Sequence, residues 1–144
     1  VKVERRTVKA PAIPAWLKPK LTRDQRRDIA IVSLQSLRDV DQGVATEETL
    51  WNLVRDALTW SRAAELLGAG LVEMRTHLDH ITTMVRHFGA TGRVEFTSSS
   101  QAAAVRLGLA YMEDIAGLVD RESAIAAALY SERAVSEHMG RQAA

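Results

Sequence analysis

The chain reads as an all-α protein, a compact bundle of about five helices behind an extended basic N-terminal arm. Three observations carry that expectation. Aliphatic residues recur at intervals of three and four through most of the sequence after residue 21. Capping residues and glycines punctuate those stretches where helices should start and stop. All three prolines, Pro11, Pro14 and Pro19, fall in the first twenty positions, where they remove backbone donors and disfavour helix in the residues before them. The expected organisation is an arm over residues 1–20 and a single helical domain over 21–144. A 144-residue chain that is 47% hydrophobic can bury roughly 70% of its unfolded surface without disulfides or metals.

The first helix should open at Thr22, because Thr22-Arg23-Asp24-Gln25 is a capping-box pattern in which hydroxyl and amide each satisfy a backbone N–H. Ile29, Ala30, Leu34, Leu37 and Val40 then share one broad face, and Gly43 stops the run. Thr46 caps the second helix, with Glu47 and Glu48 in the first turn where negative charge suits the dipole. Its seam is Leu50, Val54, Ala57, Ser61 and Ala64, bordered by Leu53, Leu58 and Trp60, and Gly68-Ala69-Gly70 ends it. The third helix carries the stripe Leu71, Met74, Leu78, Ile81, Val85 and Phe88, closed by Gly89. Residues 89–97 read as loop, since one short alternating segment cannot build a sheet. Ser98 and Gln101 form a second capping-box pattern, opening a fourth helix with Val105, Gly108, Leu109, Met112, Ala116 and Val119 inward. Asp120 caps a fifth, with Ile125, Ala128, Leu129, Val135 and Met139 inward.

Several constellations invite a chemical reading. Ala63 to Gly68, followed by Met74 and Leu78, has the spacing of a DNA-binding helix-turn-helix, which would make residues 70–80 a recognition helix with Arg75, Thr76 and His77 as contacts. Leu71 and Val72 would then face DNA, and Glu73 and Asp79 offset Arg75, so a plain helical hairpin with a glycine C-cap is favoured. Glu73, His77, His80, Met84 and His87 lie in one arc of the third helix at spacings that metal sites use. The chain shows no pair of helices each carrying Glu-x-x-His, so the arc is expected to be a solvated face opposite the apolar stripe. Gly89-Ala90-Thr91-Gly92-Arg93 lacks the preceding strand and the Lys-Ser/Thr ending of a phosphate-binding loop. The serines at 98–100 are explained by capping, and the adjacent carboxylates Glu113 and Asp114 diverge on a helix. No catalytic signature, metal site or cofactor is therefore expected.

Charge is the other informative feature. Lys2, Arg5, Arg6, Lys9, Lys18, Lys20, Arg23, Arg26 and Arg27 face only Glu4 and Asp24 among the first 27 residues. That segment carries +7, residues 28–144 carry −6, and the total of +1 hides the split. These nine cations are the candidate polyanion contacts; the competing reading is a solvated tail anchored at Trp16 and Leu17. The absence of cysteine fits a reducing cytoplasm, and no apolar run reaches the ~20 residues of a membrane span.

Leu58-Thr59-Trp60-Ser61-Arg62, Phe88 to Arg93 and Val119 to Ala127 together resemble a loose group of small helical proteins encoded by bacterial plasmids, integrative elements and prophages. The resemblance covers about residues 21–135 and implies accessory, mobile-element biology; it carries over no activity and no functional residue. The functional expectation is a non-enzymatic interaction or regulatory protein that works by protein–protein contact, including self-association as a homodimer. The alternative is a DNA-binding accessory protein using the arm, with or without the helix-turn-helix at 63–80. A metal-binding helical protein is the third class.

Overall fold

The computed structural model describes residues 18–143. They form five helices: α1 (Arg23–Asp41), α2 (Glu47–Leu67), α3 (Leu71–Thr91), α4 (Ser99–Leu118) and α5 (Arg121–Ala143). The all-α expectation holds. No helix among the described residues is long and apolar enough to cross a membrane.

The helix starts follow local chemistry. At α1 the capping box is complete, with Gln25 N donating to Thr22 Oγ1 at 3.1 Å and Thr22 N to Gln25 Oε1 at 2.9 Å. At α2 the reciprocal partner of Thr46 is Thr49. Ser98 accepts from Gln101 N at 3.0 Å, but the Gln101 amide reaches one residue past the box and accepts from Thr97 N at 2.7 Å. Asp120 caps α5 by accepting from Ser123 N and Ser123 Oγ. The Ser123 hydroxyl is the main reason its carboxyl is held below the usual range.

The end of α3 differs from expectation. The helix passes through Gly89 and stops at Gly92, which takes the left-handed conformation (φ +71°) and donates its N–H to Phe88 O at 2.7 Å. Glycine weakens a helix by only about 1 kcal/mol, so it ends one only where the chain exploits its positive φ. Val94 and Phe96 in the following loop pack against the core.

Helix α2 is the axis of the molecule. It packs against all four others, α4 also touches α1 and α3, and α5 has its extended contact with α2 alone. The central role follows from its sequence: Leu50, Leu53, Ala57, Trp60, Ser61, Ala63 and Ala64 are buried around most of its circumference. Helix α4 buries its whole expected face, Val105, Gly108, Leu109, Met112, Ala116 and Val119.

Three helices turn differently from the expected stripes. In α1 the buried residues are Ser33, Ser36, Leu37 and Val40, while Leu34 is 54% exposed. In α3 the buried line is Met74, His77, Ile81 and Met84, with Leu78, Val85 and Phe88 only half-buried beside it. Helix α5 keeps only Val135 of its expected face: Ala124, Ala127 and Ser131 join it against the core, whereas Ile125, Leu129 and Met139 are 53%, 56% and 47% exposed. The physical reason is proximity, because small side chains let two helix axes approach closely. Ser131 Oγ reaches the α2 backbone directly, donating to Arg55 O at 2.9 Å.

Candidate interaction surface

The packing of α5 shapes the surface. Because α5 lies on α2 without extended contact to α1 or α3, a groove runs along each of its sides. The groove toward α1, about 360 Å³, has walls of Ile29 and Val32 on one side and Ile125 and Ala128 on the other. Its floor is a polar strip of α2 comprising Asn52, Arg55, Asp56 and Thr59. The groove toward α3, about 300 Å³, is apolar, with Val54, Leu58, Leu78, Val85 and Val135 lining it and the rings of Trp51 and His138 5.5 Å apart at one end.

Electrostatics differ across these openings. Asp56 accepts a hydrogen bond from Ser33 Oγ at 2.8 Å. Burial raises its pKa to about 6, against the opposing effects of that hydroxyl and of the Arg55 charge. Arg55 Nε lies 3.3 Å from Glu132 Oε1, tying the floor to α5 as an ion pair without hydrogen-bond geometry. A third opening, of about 340 Å³ between α1 and α4, has Trp60, Leu109 and Met112 among its apolar lining and Arg23, Arg26 and Arg27 along its rim. Three of the nine cations singled out from the sequence thus gather on one lip. Arg27 is engaged at 3.7 Å by Asp24 and 3.9 Å by Asp28, both exposed; pairs of that kind contribute little. Lys18 and Lys20 lie beside the α4–α5 junction, where the backbones of Lys20 and Asp120 form an isolated antiparallel β-bridge and Arg121 N donates to Pro19 O at 2.8 Å. Lys2, Arg5, Arg6 and Lys9, with the proposed anchor Trp16 and Leu17, lie outside the described residues.

The helix-turn-helix contacts do not assemble. Helices α2 and α3 run side by side over several turns: Ser61 Oγ donates to Met74 O at 3.4 Å, and Trp51, Val54 and Leu58 share a groove with Leu78 and Val85. That is a helical hairpin, not a crossing pair in which one helix stands clear of the other. Arg75 and Thr76 are exposed, but His77 is 2% exposed and points into the core, so it cannot reach a base or a phosphate.

The same residue breaks the expected histidine face. Neither His77 ring nitrogen has a hydrogen-bond partner. Burial, with a smaller contribution from the His80 charge, pushes its pKa down to about 4. Gly108 of α4 provides the space: a methyl group there would overlap the imidazole. His87 instead pairs with Glu95 at 2.9 Å, and Glu73 is exposed. Among the described residues, no three His, Asp or Glu side chains converge on a point that could hold a metal ion.

Sequence reasoning missed the outward face of α5 and the Ser33–Asp56–Arg55 group. The polar run Asn52, Arg55, Asp56, Thr59 along one side of the central helix was the available signal for the groove floor. Comparison with family models, curated proteins and solved structures gives no match.

Proposed function

We propose that this chain is a non-enzymatic interaction module, an accessory protein that acts by protein–protein contact through α5 and the grooves beside it. The observation that carries the reading is the orientation of α5, which packs inward with Ala124, Ala127 and Ser131 and presents Ile125, Leu129 and Tyr130 to solvent. Isolated exposed aliphatics are ordinary, but several on one helix flanked by grooves with apolar walls form a contact surface.

The test is co-purification from the native host with the wild-type chain and with Ile125→Asp/Leu129→Asp. Both side chains are on the surface, so the variant should fold, checked by circular dichroism. The module reading expects specific partners to be lost with the variant. An identical set of co-purifying proteins would remove α5 from the account.

A second reading, contact with duplex DNA, is favoured by the gathering of Arg23, Arg26 and Arg27 on one rim. If these and arm cations met about five phosphates, the log–log salt slope of affinity would be about −4 to −5. Arg23→Ala/Arg26→Ala should then weaken binding equally across sequences. Unchanged duplex affinity after both that substitution and removal of residues 1–17 would end this reading.

A further inference from the structure

The outward face of α5 has an order of charges that selects its occupant. Glu122, Ala126, Leu129 and Arg133 are all exposed. Their spacing of four, three and four places them in one line along the helix, opposite the buried residues Ala124, Ala127, Ser131 and Val135. Ile125 and Tyr130 flank that line, and Tyr130 is braced from beneath by the Arg62 guanidinium, 5.6 Å from its ring centroid. The line thus has an acid at its N-terminal end, a base at its C-terminal end, and apolar side chains between. Neither Glu122 nor Arg133 takes part in an ion pair among the described residues.

We infer that this face pairs with the same face of a second copy, two α5 helices lying antiparallel about a twofold axis between residues 127 and 128. This names the partner within the module reading above and rests on it. In that register Glu122 of each protomer meets Arg133 of the other, so the ion pair forms twice. Ala126 faces Leu129, the small residue receiving the large one, while Ile125 and Tyr130, on opposite sides of the line, each come alongside their own counterpart. A twofold interface requires such self-complementarity: if i contacts j, j must contact i. A parallel arrangement would place Glu122 against Glu122 and Arg133 against Arg133, and sliding the antiparallel pair by one turn would set Glu122 against Glu137. Charge therefore selects both orientation and register.

The contact from residue 122 to residue 133 spans only about 16 Å of helix at the α-helical rise. That is short of the roughly 800 Å² per partner of a standard interface. The dimer should accordingly be weak and reversible, forming at tens of micromolar (about −6 kcal/mol by the affinity scale).

Sedimentation equilibrium of the full chain from about 1 to 300 μM, the range set by that scale, tests the inference. A monomer–dimer equilibrium is expected, with Leu129→Glu monomeric throughout. Glu122→Arg and Arg133→Glu, each of which places like charges together twice, should each weaken association about tenfold. The double reversal should restore it to near the wild-type value. Circular dichroism establishes that each variant is folded. A wild-type chain that stays monomeric to the highest concentration overturns the inference, as does a dimer indifferent to Leu129→Glu or one that the double reversal fails to rescue. Such failures leave the module reading standing or falling on its own co-purification experiment, in which the partner need not be a second copy.

Discussion

Replacing Asp56 by Asn should expose a pH dependence that the wild-type protein hides. Two partly or wholly buried groups have pKa values displaced in opposite senses. His77 titrates at about 4 in the folded protein against 6.5 ordinarily, because burial excludes its charged form. Below pH 6.5 the unfolded chain takes up a proton there that the folded protein refuses until about pH 4. Stability is lost as pH falls through that window, at about 1.36 kcal/mol per unit. Asp56 titrates at about 6 against 3.8, again through burial. Its contribution is fully present below 3.8 and is lost as pH rises through 6, so across the same window it has the opposite slope.

Between pH 6 and 4 the two slopes cancel, and wild-type stability should vary by less than about 1 kcal/mol. Asp120 does not intrude: its pKa is lowered, so its contribution is lost only as pH falls below the ordinary value of 3.8. In Asp56→Asn the amide keeps the bond to Ser33 and removes the titration. At pH 7 the variant should be more stable by about 2 kcal/mol, somewhat less than the shift alone implies because solvent reaches the groove. From pH 6.5 to 4.5 it should then lose about 2 kcal/mol, the His77 slope reaching its full value only below the ordinary imidazole pKa. Urea unfolding followed by tryptophan fluorescence at half-unit pH steps measures both. A wild-type protein that loses several kcal/mol over this range, or an Asn variant whose stability stays level, would refute the opposed-burial account.

Other expectations follow from single positions. Gly108→Ala should destabilise by about 2–3 kcal/mol through overlap with the His77 imidazole. In combination with His77→Ala, the loss should be smaller than the sum of the two singles, as thermal or urea unfolding of all three variants would show. Gly89 lies inside α3 with open space around its Cα, so Gly89→Ala should stabilise by about 0.5–1 kcal/mol. Gly92 holds the left-handed turn, so Gly92→Ala should cost about 1 kcal/mol instead; equal effects of the two would mean that the helix end is misplaced. Thr22→Ala removes the α1 capping box and should lower stability by about 1 kcal/mol. Amide hydrogen exchange in that variant should rise first at Arg23 to Gln25.

What depends on near neighbours was legible from the residues alone: the all-α class, the four capped starts at Thr22, Thr46, Ser98 and Asp120, and the turn glycines at 43 and 68. A cap needs only a side chain within three residues, and a turn needs only one residue that tolerates positive φ. The inward face of α4 was equally legible, since Val105, Leu109, Met112 and Ala116 recur at intervals of three and four, with Leu107 and Leu118 off that line. Orientation of α5 was not. That helix carries two apolar lines, one of Ile125 and Leu129, the other of Ala124 and Ala127, and ranking by size selects the first. Close approach to α2 selects the second, because the distance between two helix axes is decided by both partners at once. His77 makes the same point. Beside exposed Arg75 and Thr76 it reads as a surface residue, and only the missing side chain of Gly108, from another helix, makes room for it in the core. Tertiary packing therefore decided which faces remained outside, and with them the surface available to a partner.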